Sequence, residues 1–266
     1  MDERIGILKI RPCLDSDEMA EKRREELSIS RHDAAQLGLT AVEACQNGYY
    51  LNREGDKVDW SGQVQAGCLA KISIPPDEQL PTNAQTFFEE THIQVANETT
   101  LQAARRLVND GERPLALNFA NGIHPGGGFL HGARAQEEVL CRSSSLYQTL
   151  VDDPMYEHHL NRPQPDSTSW TIYSSEVPIF REDDGTVLDT PWLLSFLTCA
   201  APVASTIGQP TSGDLLQGRI HRVLAIAEAY QYSALILGAW GCGAFGNDPY
   251  RTAADFRRTL EEDFAG

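Results

Sequence analysis

The chain is poor in positive charge. Its 266 residues carry 22 lysines and arginines against 38 aspartates and glutamates, a formal net charge of −16. A protein that grips nucleic acid along its phosphates needs basic surface to displace counterions, so direct DNA binding is not expected. Any phosphate-bearing ligand has to be held locally, by aimed backbone N–H groups. Paired cysteines are missing too: Cys13, Cys45, Cys68, Cys141, Cys199 and Cys242 are scattered, with no C-x-x-C spacing. That pattern argues against a zinc site or a disulfide framework and fits a reducing, cytoplasmic setting. Long apolar runs are absent; the best, Trp192 to Ala204, is too short to span a bilayer and contains Pro202. The opening Met1-Asp2-Glu3-Arg4 lacks the basic-then-apolar order of a signal peptide. There is no G-x-x-x-x-G-K-[ST] stretch, which excludes a P-loop NTPase.

What is present is an ordinary globular composition, 41% hydrophobic and 23% charged, with a change of texture near residue 90. Before it the chain is polar and helix-leaning. Asp17 to Leu27 reads as a solvated helical face. Ser30 with Asp33 resembles a capping box opening a helix through Leu37, Ala41, Ala44 and Cys45, with Gly48 at its end. Asn52 to Asp59 reads as a hydrophilic turn, and Pro75, Pro76 and Pro81 as a connector. After it strands and helices alternate. Strands are expected at Ile93–Asn97, Pro114–Phe119, within Trp170–Phe180, at Phe196–Ala200 and at Ala234–Gly238. Helices are expected after Thr99 or Thr100, from near Ala135, through Leu216 to Ala227, and from Asp248-Pro249 to about Asp263. Alternation of this kind implies an α/β sheet with its ligand crevice at the carboxyl ends of the strands.

Two glycine loops leave strands at that end. Asn121-Gly-Ile-His-Pro-Gly126-Gly127-Gly128 permits positive φ and close approach of a ligand; its alternative is a plain tight turn. Gly241-Cys242-Gly243-Ala244-Phe245-Gly246 matches G-x-G-x-x-G, but a Rossmann unit needs a further strand after its helix and none follows here, so that fingerprint is not expected. Two such loops from neighbouring strands suit a diphosphate. Eight residues past Gly128 comes Gln136-Glu137-Glu138, at the start of a helix. Between Glu112 and Leu150 three arginines balance three glutamates, a neutral island in an acidic chain. Adjacent helical residues diverge by about 100°, so one carboxylate can do chemistry while its neighbour holds ligand or loop. Acids in a first turn also simply complement the helix dipole. That dipole lowers a carboxyl pKa, whereas desolvation or a bound diphosphate raises it, so an acid made competent by substrate is expected.

The run Gly126-Gly127-Gly128-Phe-Leu-His-Gly-Ala-Arg-Ala-Gln136-Glu137-Glu138 resembles the signature of the poly(ADP-ribose) glycohydrolase family, in its compact microbial form. Leu117-Asn-Phe-Ala-Asn121 is similar to the strand-end asparagines of macrodomains, and Gly238 to Gly246 to the second phosphate-binding loop of the microbial group. The resemblance implies a three-layer α/β/α macrodomain with a central mixed sheet over residues 91–266, preceded by a helical accessory segment, residues 1–90. It implies cleavage of ribose–ribose bonds in poly(ADP-ribose), or in ADP-ribosylated proteins, with ADP-ribose as product and reversal of ADP-ribosylation, also in the DNA damage response, as the outcome. Glu138 would be the general acid/base and Glu137 would hold ribose hydroxyls. Gly126, Gly127, Gly128, Gly241, Cys242, Gly243, Ala244 and Phe245 would enclose the diphosphate, with Phe245 near the reacting ribose and Gln136 and Asn121 at the substrate. No metal, cofactor or membrane is implied.

Two other classes remain open at this level. One is a macrodomain that reads ADP-ribose without cleaving it; the other is an eraser of single ADP-ribose units or a phosphatase of ADP-ribose 1″-phosphate. Among the remaining residues, His124, His131 and the pair His158-His159 read as exposed loop histidines, and Cys242 as a packing residue. Trp170, Trp192 and Trp240 are expected in the core. Arg134 and Arg142 either reach phosphates or solvate their helix.

Overall fold

The structure, a computed structural model, describes residues 7–82 and 88–265. The leader reading rests on Met1 to Arg4, which lie outside the described residues. In chain order the elements are β1 (Ile7–Ile10), α1 (Asp17–Leu27), α2 (Arg31–Asn47), β2 (Tyr49–Leu51), β3 (Lys57–Asp59), α3 (Ser61–Ala70), β4 (Ile72–Ile74), β5 (Glu90–Ile93), α4 (Thr100–Asn109) and β6 (Pro114–Ala120). A 3-10 turn (Phe129–His131) leads to α5 (Gln136–Ser143), α6 (Leu146–Leu150), α7 (Pro154–Leu160), β7 (Thr171–Arg181) and β8 (Val187–Ala200). Then come α8 (Ala204–Ile207), α9 (Thr211–Ala229), β9 (Ala234–Ile236) and α10 (Pro249–Glu262).

The helix starts follow local chemistry. Ser30 Oγ accepts the Asp33 N–H at 3.1 Å, Thr99 Oγ1 that of Gln102 at 3.2 Å, and the Asp248 carboxylate that of Tyr250 at 2.8 Å. Each satisfies a donor that the first turn would otherwise leave open. Gly48 stops α2 in the left-handed conformation, φ +74.

Five strands form the central sheet in the order β4-β7-β8-β6-β9. β6 runs parallel to both neighbours, β8 and β9, whereas β7 is antiparallel to β8 and β4 to β7. The sheet is mixed, with helices on both faces. On one face Ala116, Ile172, Phe196 and Ile236 pack with Leu101, Leu140, Leu146 and Met155 of α4 to α7. On the other, Leu115, Leu117 and Leu197 meet Leu216, Ile220, Val223 and Phe256 of α9 and α10. Alternate residues of β6 thus serve opposite layers, as the period-2 strand geometry requires. This is the three-layer α/β/α arrangement expected from the sequence.

Three expectations shift in detail. β8 is 14 residues long rather than the five of Phe196–Ala200. The strand expected at Ile93–Asn97 falls earlier, at β5, and pairs with β1 outside the main sheet. Asn52–Asp59 is a turn only to Asp56; its last residues form β3, which pairs with β2. The first 90 residues also supply β4 to the central sheet and a small core in which Trp60 lies against Phe180 of β7, ring centroids 4.6 Å apart.

α2 is seated directly on the 3-10 turn that precedes α5. A Cβ at Gly38 would lie 2.8 Å from the Phe129 carbonyl oxygen. Alanine ordinarily stabilises a helix interior relative to glycine by up to ~1 kcal/mol, but here the overpacking term, about 1–3 kcal/mol, is larger. Gly38→Ala is therefore expected to lower the unfolding midpoint in a thermal melt. A raised midpoint would show that α2 is not fixed against the turn.

Candidate active site

β6, β8 and β9 are parallel, so their carboxyl ends open on the same edge of the sheet. The first glycine loop leaves β6 there, residues 201–203 leave β8, and the second glycine loop leaves β9. α5 then returns from the first loop with Glu137 and Glu138 in its first turn, both buried.

The two carboxylates are fixed differently. Glu137 Oε2 accepts the Asn121 N–H at 2.7 Å, and its Oε1 lies 3.4 Å from the Asn118 amide nitrogen. Glu138 Oε1 accepts the Gly128 N–H at 3.0 Å, whereas its Oε2 has no hydrogen-bond partner among the described residues. Glu138 is 8% exposed. A buried carboxylate oxygen without a partner is costly unless something external uses it. Burial pushes the Glu137 carboxyl up to about 8; the Asn121 N–H opposes this and the neighbouring Glu138 charge adds to it.

Gly126 and Gly127 take φ +70 and +58, and a Cβ on Gly127 would overlap Glu138 Oε1 and sit 3.0 Å from Glu137 Oε2. The loop must therefore be bare at this point. The first loop wraps the carboxylates: Gly127 N–H donates to the His124 carbonyl, and Gly128 N–H to Glu138. Asn121 Oδ1 accepts the N–H groups of Ile123 and His124, both at 3.0 Å, and shapes the loop. Gln136, expected at the substrate, is a brace. Its amide accepts the Phe119 N–H at 2.9 Å and donates to the Leu117 carbonyl at 2.7 Å and Thr100 Oγ1 at 3.1 Å, which leaves no donor for a ligand.

The second loop is the open one. Among the described residues, the amides of Gly241, Gly243, Ala244 and Phe245 have no protein acceptor, and a Cβ on Gly243 would meet nothing within 4 Å. Successive N–H groups without acceptors, as at Gly243, Ala244 and Phe245, are the donor set that an anion can use. Buried Asn247 clasps the loop to its surroundings, donating to Pro202 O at 2.8 Å and Gly241 O at 3.1 Å and accepting from Ser212 Oγ at 2.7 Å. Ala204 N–H donates to Phe245 O at 2.8 Å, and the Phe245 side chain packs partly into the α9 layer. Cys242 Sγ lies 3.5 Å from both Trp240 O and Thr252 Oγ1, in keeping with packing.

Other readings are changed by burial. Arg142 does not solvate its helix: it is 1% exposed, and its Nε and Nη1 lack partners among the described residues. Arg134 is exposed and donates to Ile29 O at 2.7 Å. His158 is exposed, but His159 is not a surface residue; it lies on α7 with Nδ1 3.0 Å from Gly122 O and Nε2 2.7 Å from Thr168 Oγ1. Its burial lowers its pKa to about 4, so it stands neutral at the base of the first loop. His124 and His131 are exposed. Trp192 and Trp240 are buried, and Trp170 is half-buried with Nε1 donating to Ser73 Oγ at 2.8 Å. Asn247 carries no signal in the sequence, and Asn118 enters there only as one of the strand-end asparagines, without a role; its signal is a lone amide within an apolar strand.

Comparison with known proteins yields one family model, described as microbial-type PARG, catalytic domain, which matches residues 39–182. Among solved structures, the poly(ADP-ribose) glycohydrolase of Thermomonospora curvata is 38% identical with a TM-score of 0.81, covering 87% of this chain and 88% of that one. Its complex with the inhibitor ADP-HPD matches at 36% identity and TM-score 0.77, with the same coverage. The Deinococcus radiodurans poly(ADP-ribose) glycohydrolase bound to ADP-ribose is 36% identical with a TM-score of 0.66, covering 76% of this chain and 86% of that one. No curated protein matches.

The raised Glu137 pKa has a measurable consequence. The native state keeps this proton up to pH about 8, whereas an unfolded glutamate loses it near ~4.3. Between these values the native state binds more protons, so Glu137 makes stability fall as pH rises, until both states are ionised. Glu137→Gln removes that term. Thermal melts should show the variant gaining on the wild type steadily from pH 5 to pH 8; a difference that does not vary with pH would contradict a protonated native Glu137.

Proposed function

Because the chain belongs to the microbial-type poly(ADP-ribose) glycohydrolase family, and so is a glycoside hydrolase of poly(ADP-ribose), we propose that Glu138 is its general acid/base and that Glu137 holds the ribose. The observation that carries this reading is the pair of states at Glu138: one oxygen is locked by the Gly128 amide, and the other is buried with no protein partner. A carboxyl so oriented presents one oxygen to an incoming acetal. Protonated, it gives its proton to the ribose oxygen that leaves as the glycosidic bond breaks, and the remaining sugar passes through an oxocarbenium-like state. The resulting carboxylate then takes a proton from water as the water oxygen bonds to the anomeric carbon.

The diphosphate belongs on the second loop in this scheme, where the amides of Gly243, Ala244 and Phe245 are free. Asn121 and Phe245 border the reacting ribose. A chain with a net charge of −16 repels a polyanion lying along it, which favours recognition of a terminal unit and exo cleavage to ADP-ribose. Poly(ADP-ribose) chains and ADP-ribosylated proteins are the substrates in this reading. Among the described residues no helix is long and apolar enough to cross a membrane. The free state of the cysteines, two of them exposed, supports a cytoplasmic location.

Two variants test the scheme. Glu138→Gln should reduce kcat on poly(ADP-ribose) by roughly 10²–10⁴-fold, the usual contribution of general acid catalysis, while calorimetry still detects ADP-ribose binding. Undiminished turnover would remove Glu138 from the chemistry. Gly243→Asp places a negative charge in an open position. It should weaken ADP-ribose binding about tenfold or more, the scale of one charge-assisted contact, without lowering the melting midpoint. Unchanged affinity would place the diphosphate elsewhere.

A further inference from the structure

Asn118 sits in the middle of β6, 0% exposed, within an otherwise apolar run. It faces Thr198 of β8 in register, also 0% exposed. Its Nδ2 donates to Thr198 Oγ1 at 3.2 Å and lies 3.4 Å from Glu137 Oε1, and its Oδ1 is buried without a partner. An amide placed in the centre of a sheet and only partly satisfied calls for an account beyond folding, because an aliphatic side chain would fill the position without the desolvation penalty.

The geometry provides that account. With Nδ2 towards Glu137, the amide donates to an ionised carboxylate. Turned by 180°, the same amide presents Oδ1, which accepts from a protonated Glu137 and from the Thr198 hydroxyl. Thr198 serves both orientations, because a hydroxyl can accept or donate. The donating orientation is the stronger of the two, because a hydrogen bond to an ionised carboxylate outweighs one from a neutral carboxyl, and it draws the Glu137 pKa down against the effect of burial. Of the two side chains that this amide meets among the described residues, Glu137 and Thr198, the carboxyl is the one that changes charge in this way.

We propose that Asn118, braced across the sheet by Thr198, is a positioning residue for Glu137, holding that carboxyl in the ribose-binding orientation in both of its protonation states by turning its amide. The proposal rests on the reading of Glu137 as the ribose-holding group. Other titratable groups that act on Glu137 are Glu138 and Cys141 on its own helix and Tyr156 on α7. The variants below leave all three in place, so a displaced pH profile is attributable to the amide–hydroxyl pair.

The test is steady-state hydrolysis of poly(ADP-ribose) by the full chain from pH 5.5 to 9.5, for the wild type, Asn118→Leu, Thr198→Val, Thr198→Ser and Glu137→Gln, each with a thermal melt. Loss of the Asn118 donor is expected to raise KM roughly tenfold to a hundredfold, the scale of a hydrogen bond to a charged group, with a smaller change in kcat. The ionisation seen in kcat/KM should move to higher pH, because a donor that favours the carboxylate is gone. Thr198→Val, close to threonine in shape, should show the same shift in weaker form and remains decisive if Asn118→Leu does not fold. Thr198→Ser keeps the hydroxyl and should recover most of the wild-type KM and profile. The inference is overturned if folded Thr198→Val has the KM and pH profile of the wild type, or if the valine and serine variants lose activity equally with no displacement of the profile. Should Glu137→Gln leave KM unchanged, the reading of Glu137 itself fails; should it raise KM while the Asn118 and Thr198 variants do not, only the positioning role fails.

Discussion

Two carboxyl groups are held side by side out of water, and backbone amides do the holding. Asn121 N–H serves Glu137, and Gly128 N–H serves Glu138. The arrangement explains the loop sequence in detail. A backbone that must pass within hydrogen-bond distance of two adjacent carboxylates has no room for a side chain, and Gly127 stands where a Cβ would overlap one of them. The brace at Gln136 follows from the same requirement, because it pins the first turn of α5 to the end of β6 and sets where both acids emerge. Amides suit this task better than arginines. They hold the groups without adding a full charge that would keep both ionised, so one of the pair can carry a proton near neutral pH.

The second loop complements this arrangement. Its free amides supply partial positive charge on a protein whose side chains supply an excess of negative charge. Parallel pairing of β6 with β9 puts the two loops on one edge of the sheet, so a sugar and the diphosphate attached to it can be addressed by different backbone segments. Asn247 and the Ala204 amide keep the open loop in shape by bonding its carbonyls, while the N–H groups of Gly243, Ala244 and Phe245 have no acceptor among the described residues.

Features decided by neighbours in sequence were legible in the sequence. Ser30, Thr99 and Asp248 cap their helices through side chains a few residues away, and the apolar strand Pro114–Phe119 announces its own burial. The spacing from Gly126 to Glu138 also carried the family, because the loop and the acids it wraps are covalently close. Features decided by chain returning from far away were not legible. His159 looks exposed in its polar, proline-rich surroundings, yet the Gly122 carbonyl, 37 residues earlier, closes over it. Arg142 has the spacing of a helix-surface residue but lies under the β7–β8 side of the fold, where Asp183, its pKa raised by burial to about 6, acts on it electrostatically. The direction of the loop amides was equally hidden: composition shows that glycines can bend, not which way their N–H groups point. Strand β4, three residues long and followed directly by Pro75 and Pro76, is too short to show a period.

The seating of α2 bears on how small such an enzyme can be made. Arg181, at the end of β7, donates to the Leu37 carbonyl at 2.7 Å and the Thr40 hydroxyl at 2.9 Å on α2, and also to the Arg142 carbonyl at 3.2 Å on α5. A Cβ at Gly132 would overlap the Arg31 carbonyl, so α2 closes over the far side of the carboxylate loop as well. A truncated protein starting at the compositional boundary near residue 90 would thus strip the outer wall from the turn that aims both acids, and expose a buried guanidinium at the sheet edge. The polar, helix-leaning first third of the chain works as a splint for the machinery rather than as a detachable appendage.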